Sequence, residues 1–249
     1  MHHPISPDQP LAQKRVILTG ASSGIGRELA RQLAAAGAAL ALVSRHPRAI
    51  AEELQAHFPT AVIGAYPCDL TDLNALPSRW QEMLTDFGGV DILINNAGTA
   101  YIGNLAEMPL SQWQHLFDLN LTSVFLACQA VIPSMRSQHQ GTILNIASIA
   151  AKQSFPQWGG YCASKFALLA MAQALGAEER AYGIRVMNLC PGSVDTPLWD
   201  KLGDAVPASF DRAAMLQPQT VATTALHLLT MPATATIEEL ILMPNGGAF

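Results

Sequence analysis

Apolar residues in this chain fall into short continuous runs separated by longer segments of helical length. The runs are "RVILTG" (15–20), "AALALVS" (38–44), "AVIGAYPCD" (61–69), "VDILINNAG" (90–98), "GTILNIAS" (141–148), "IRVMNLCPG" (184–192) and "ELILMP" (239–244). Each has the length of a strand. The segment from Gly26 to Ala36 is rich in Ala and Leu and reads as a helix stopped by Gly37. Further helices are expected around 47–57, 72–87, 112–136 and 161–181. Strand–helix alternation with continuously apolar strands predicts a doubly wound α/β fold, its parallel sheet covered on both faces. No Pro/Gly-rich linker divides the chain, so a single domain over 14–249 is expected. Residues 1–13 read as a loose leader. The stretch 193–217 is the longest irregular segment and holds Leu198, Trp199, Leu202, Phe210, Met215 and Leu216. It reads as a substrate loop.

Composition narrows the function classes. With 50% apolar and 13% charged residues among 249, the chain is not disordered. A formal charge of -5 argues against nucleic acid as a partner. No stretch approaches the roughly 20 uninterrupted apolar residues of a membrane span, and the N-terminus lacks the apolar core of a signal peptide. Cys68, Cys128, Cys162 and Cys190 are spaced by 60, 34 and 28 residues, which fits neither a metal pair nor a redox CxxC. They read as buried or half-buried thiols in a reducing, cytoplasmic setting. The seven histidines form no HExxH, so a metal hydrolase is disfavoured and no metal site is expected.

Candidate chemistry begins at "TGASSGIG" (19–26), placed between the first strand and the first helix. Gly20 permits a tight turn, Gly24 lets the backbone approach a phosphate, and Gly26 lets the helix pack closely. Free N–H groups at the helix start then face a pyrophosphate, with Ser22 and Ser23 adding hydroxyls. The second strand ends in Ser44, Arg45 and His46, without the acidic residue that grips a ribose 2'-hydroxyl. Arg45 suits a 2'-phosphate, with Ser44 as a further donor and Arg48 as a weaker cation, which favours NADP(H). The competing reading is a solvated Arg45 with NAD(H) bound. Asp69 is placed to meet an adenine amino group, or else caps a helix beginning near Thr71.

Tyr161 and Lys165 stand four apart in "YCASK" and share a helix face. The ammonium is expected to lower the phenol pKa from about 10. Ser148, ending the fifth strand, is placed to hydrogen-bond a substrate oxygen, or else is a plain strand-end serine. Together "TGASSGIG", "CDL" (68–70), "NNAG" (95–98), Asn120, Ser148, "YCASK" (161–165) and "PGSVDTP" (191–197) resemble the short-chain dehydrogenases/reductases, in family order and with the familiar 13-residue step from Ser148 to Tyr161. The resemblance spans about 14–247.

That resemblance implies a Rossmann-type sheet of about seven strands in order 3-2-1-4-5-6-7. It implies Tyr161 as general acid or base, Lys165 as its tuner and ribose holder, Ser148 as carbonyl polariser, and Asn120 as anchor of a relay water. The implied cofactor contacts are Gly20, Ser22, Ser23, Gly24, Ile25 and Gly26, then Ser44 and Arg45, Asp69 and Leu70, and Asn96, Ala97 and Gly98, with Asn95 steadying the sheet. Tyr161, Lys165, Pro191, Gly192, Val194 and Thr196 complete them, Thr196 at the nicotinamide. The helices near 112–136 and 161–181 are implied to pair subunits into a homodimer or homotetramer.

Three departures from the family pattern bear on these implications, the first being that 193–217 is short for a full helical lid, which implies a partly open pocket. Ser23 stands where many NADP(H)-preferring members carry a basic residue, and the tail to Phe249 is short for completing a neighbour's site. Candidate wall residues are Ala100, Tyr101, Ile149, Ala150, Phe155, Trp158, Trp199 and Leu202, which favour a hydrophobic or aryl ketone or its alcohol. The alternatives are a 3-oxoacyl thioester reductase, which would want a basic rim for an acidic carrier, and a non-catalytic dinucleotide-binding sensor or scaffold.

Overall fold

Successive strand side chains leave on opposite faces, so a continuous apolar run requires cover on both sides. The computed structural model, which describes residues 9–206 and 211–247, has this arrangement. Strand β1 (Arg15–Thr19) sends Val16 and Leu18 to one face and Ile17 to the other, all fully buried. After helix α1 (Gly24–Ala35), strand β2 (Ala39–Ser44) divides in the same way, Leu40 and Leu42 opposite Ala41 and Val43. The chain continues through α2 (Arg48–His57), β3 (Ile63–Pro67), α3 (Leu76–Phe87), β4 (Ile92–Asn95), α4 (Leu110–Phe117) and α5 (Ser123–Gln138). It closes with β5 (Gly141–Ile146), α6 (Gly159–Glu179), β6 (Ile184–Pro191), α7 (Leu198–Leu202), α8 (Pro218–Leu229) and β7 (Glu239–Leu242).

The seven strands are all parallel, in order β3-β2-β1-β4-β5-β6-β7. This is the doubly wound Rossmann-type sheet expected from the sequence. Leu29 and Leu33 of α1 and Val221 and Leu228 of α8 fill one face; Trp80 of α3, Val131 of α5 and Leu168 of α6 fill the other. The strand order reverses between β1 and β4. Loops leaving their carboxyl ends diverge there and open a crevice.

Local chemistry moves some boundaries. The helix expected from about 72 begins at Leu76, with Pro77 in its first turn. The segment expected as one helix over 112–136 is α4 and α5 joined by a π-helical turn at Asp118–Thr122. By length and composition Leu110–Gln138 could cross a bilayer, although no uninterrupted apolar run reaches that length. Its inner side, with Val124, Ala127 and Val131, packs on the sheet. Residues 9–13, read as leader, are bonded to the body: Leu11 is buried and its N–H donates to Ala36 O at 3.0 Å. The rest of the leader, Phe210 and Phe249 lie outside the described residues. Within 193–217, α7 and short 3-10 turns at Gly203–Ala205 and Arg212–Ala214 give the loop regular pieces. All four cysteines are free, Cys128, Cys162 and Cys190 buried and Cys68 half-buried.

Asn95, Asn145 and Asn188 lie in register on β4, β5 and β6. Asn95 Nδ2 donates to Asn145 Oδ1 at 2.9 Å, Asn145 Nδ2 to Asn188 Oδ1 at 3.0 Å, and Asn188 Nδ2 to Glu238 O at 3.1 Å. A one-residue slip would put these amides in the opposite apolar layer, so the ladder specifies the register beneath the site. Asn145→Ala strands the amide groups of both neighbours in the core. Urea unfolding is expected to show a loss of about 2–4 kcal/mol; unchanged stability would show that the ladder carries no energy.

Candidate active site

The glycine-rich turn is set by close backbone approach. Gly20 has φ +67°, and a Cβ there would lie 2.8 Å from Ala97 Cα. A Cβ on Gly26 would lie 2.1 Å from Gly20 O, so Gly26 is required by the turn itself as much as by helix–sheet packing. Asn96 braces this turn, its Nδ2 donating to Thr19 O at 3.0 Å and Gly20 O at 3.1 Å. Thr19 Oγ1 accepts from the N–H groups of Asn96 and Ala97 at 3.0 and 3.1 Å.

Beyond the turn lies a groove of about 520 Å³, lined by Gly20, Ser22–Gly26, Ser44, Arg45, Asp69, Leu70, Asn96–Gly98 and Thr196. It is open along the carboxyl edge and lined by polar and apolar groups alike. Arg45 is exposed at its rim, whereas Ser44 is 7% exposed. Ser44 Oγ has no hydrogen-bond partner among the described residues. Asp69 accepts from Thr71 N at 2.9 Å and Thr71 Oγ1 at 2.7 Å. These two bonds, with smaller help from Arg45, hold its carboxyl below the usual range. Asp69 thus closes a turn; it does not cap a helix near Thr71. A glycine cradle with a hydroxyl-lined rim, an unpartnered buried hydroxyl and an exposed guanidinium at one end fits a dinucleotide.

Ser148, Tyr161 and Lys165 converge where this groove approaches a second cavity. Ser148 follows β5 and accepts from Ala150 N at 3.1 Å. Ser148 and Tyr161 border the same cavity. Lys165 is 4% exposed; its Nζ lies 5.9 Å from the Tyr161 ring centroid and donates to Ile146 O at 3.3 Å. The expected acidification of the phenol is not what the folded chain has. Burial pushes Tyr161 up to about 12, and the neighbouring Ser148 hydroxyl opposes this only in part. Burial also brings Lys165 down to about 8. Four-residue spacing gave the shared face but not the desolvation that raises the phenol.

Asn120 is fully buried in the π-helical turn, a local irregularity frequent at functional sites. Its Nδ2 donates to Thr99 O at 2.9 Å and Ser164 Oγ at 3.0 Å, and its Oδ1 accepts from Thr99 N at 2.9 Å. Both amide donors are committed to pinning the β4 loop to α6. One oxygen lone pair is left for the relay water that the resemblance implies.

The second cavity, of about 120 Å³, is bordered by Ser148, Tyr161, Ala100, Ile149, Ala150, Phe155, Trp158, Trp199 and Leu202. Trp158 meets Tyr161 edge-to-face at 5.7 Å and Trp199 at 5.8 Å. Tyr101 was expected in this wall but lies over Gly103. Pro191, Gly192 and Val194 border this cavity and not the groove, while Ile25 and Thr196 border both. The sequence did not mark His46, His115, Leu198 or Lys201 as groove residues. The position of Lys201, four after Pro197 of "PGSVDTP", was the one available signal.

Comparison with known proteins agrees with this geometry. The family model for short chain dehydrogenases matches residues 14–207, and the chain belongs to that family. It is 34% identical over 247 residues to a D-threitol dehydrogenase of Mycolicibacterium smegmatis, covering 96% of this chain and 94% of that one. Among solved structures it resembles an alcohol dehydrogenase of the archaeon Thermococcus sibiricus complexed with 5-hydroxy-NADP, with a TM-score of 0.83 and 29% identity over 93% of this chain and 97% of that one. It also resembles a metagenomic short-chain oxidoreductase in complex with NADP, with a TM-score of 0.81 and 29% identity over 95% and 99% of the two chains. The chain is therefore an oxidoreductase of this family, acting on a small molecule.

The depressed Lys165 pKa makes a stability prediction. The unfolded chain holds this proton up to about pH 10.5, the folded chain only to about 8. Folding is penalised below pH 8, and the penalty is relieved as pH rises from 8 to 10.5. Lys165→Met removes it. Denaturant unfolding is expected to favour the variant by up to ~3 kcal/mol at pH 7, with the gap closing toward pH 10. A gap independent of pH would contradict the burial argument.

Proposed function

We propose that the protein is an NADP(H)-dependent carbonyl reductase or alcohol dehydrogenase for a hydrophobic or aryl ketone and its secondary alcohol. One observation carries this reading: the Ser148–Tyr161 hydroxyl pair, with the Lys165 ammonium beside it, borders an apolar cavity next to a groove suited to a dinucleotide. When bound, the dinucleotide supplies or accepts the hydride. Ser148 Oγ hydrogen-bonds the substrate oxygen. Tyr161 gives that oxygen a proton in reduction and removes it in oxidation. Lys165 stabilises the phenolate left behind and holds ribose hydroxyls. Asn120 fixes the loop after β4 against α6, and Thr196 holds the nicotinamide end.

Arg45 supports the phosphorylated cofactor, since a guanidinium at the end of β2 pairs with a 2'-phosphate and repels nothing on NADP(H). Trp158, Trp199, Phe155 and Leu202 favour a flat apolar substrate. A polyol, the substrate named for the M. smegmatis relative, would find few hydroxyl partners on them. The exposed Phe125 of α5 and Phe166 of α6 support pairing of these helices in a homodimer or homotetramer. Four free thiols suit the cytoplasm.

Tyr161→Phe is expected to cut turnover by about 10²–10⁴-fold while NADPH still binds. Near-wild-type turnover would remove Tyr161 as the proton donor. In a carbonyl and alcohol panel run with both cofactors, NADPH is expected to outperform NADH, and Arg45→Asp to erase or invert that preference. A severalfold preference for NADH in the wild type would overturn the assignment to Arg45.

A further inference from the structure

Helix α7 presents different faces to the two cavities. Residues three or four apart share a helix face. Trp199 and Leu202 form one such pair and border the apolar cavity; Pro197 and Lys201 form another and border the groove, with Leu198 touching both. The start of this turn lies against the glycine-rich loop: a Cβ on Gly24 would sit 3.1 Å from Thr196 Cγ2 and 3.8 Å from Pro197 Cδ. The face that carries Lys201 is thus the face beside the glycine-rich loop (19–26), whose own side-chain donors are neutral.

Among the described residues, the carboxylates of Asp195 and Asp200 beside α7 are occupied. Arg212 Nε donates to Asp195 Oδ1 at 2.6 Å, its Nη1 to Asp200 Oδ1 at 2.5 Å and its Nη2 to Thr196 O at 3.3 Å. Val194 and Leu216 bridge the two ends of the segment, and Asp195 N donates to Leu216 O at 2.8 Å. The base of α7 is therefore braced, and Asp195 and Asp200 are drawn onto Arg212. Lys201 is exposed. The other cationic or imidazole groups lining the groove among the described residues, Arg45, His46 and His115, come from the end of β2 and from α4.

We infer that Lys201 binds a diphosphate oxygen of the dinucleotide, so that α7 seats on the cofactor with one face while its other face completes the substrate cavity. This rests on the dinucleotide reading above. The test is equilibrium titration of the full chain with ADP-ribose, which keeps the diphosphate and lacks nicotinamide, and with NADPH. Lys201→Ala is expected to weaken both by about five- to tenfold and to flatten the loss of affinity with added salt. Lys201→Arg is expected to restore most of the binding. Unchanged affinity and salt dependence in Lys201→Ala would overturn the inference while leaving the dinucleotide reading intact. Failure of the wild-type chain to bind either ligand would overturn that reading, and this inference with it.

Discussion

The site depends on an ammonium kept where charge is costly. Lys165 is 4% exposed and donates to the carbonyl of Ile146 beneath the carboxyl edge of the sheet. Desolvation alone would neutralise such a group if its pKa fell far enough; at about 8 it stays largely charged near neutral pH. The same burial pushes the Tyr161 phenol upward. In the function proposed here, a protonated phenol beside a buried cation would give its proton to a carbonyl oxygen. Its conjugate phenolate would be stabilised by that cation in a low dielectric.

Holding these groups in place takes a rigid frame, and the frame is polar as well as apolar. Asn96 and Thr19 tie the end of β4 to the glycine-rich turn. Asn120 ties the loop after β4 to α6, which carries both Tyr161 and Lys165. The asparagine ladder fixes how β4, β5 and β6 slide against one another. Each bond is worth little net, but each would be expensive to leave unmade in the interior. That asymmetry turns a set of ordinary amides into a specification of geometry.

The loop from 193 to 217 is different in kind. Its ends are fastened by backbone bonds and by Arg212, and α7 within it stands between two cavities. Trp199 is held by its own Nε1–H, which donates to Val194 O at 2.8 Å. The aromatic corner it forms with Trp158 is therefore anchored to the backbone of Val194, which borders the same apolar cavity.

Periodicity and turn chemistry sufficed for the strands, the parallel sheet and the placing of Gly20, Ser148, Tyr161 and Lys165, because these follow from short-range steric rules and from runs of apolar residues. Helix starts were less certain: the turn that Asp69 closes and the π-helical break at Asn120 depend on side-chain bonds to distant or competing partners. The sequence alone also determined that an ammonium and a phenol share a helix face. Only the tertiary structure decided what that proximity means, since pKa values respond to the water removed by every neighbouring element. It alone decided that Asn96 braces the glycine turn, that Tyr101 turns away from the cavity, and that Lys201 lies along the groove. Contacts between residues far apart in the chain have no local signature, and desolvation is a property of the assembled volume.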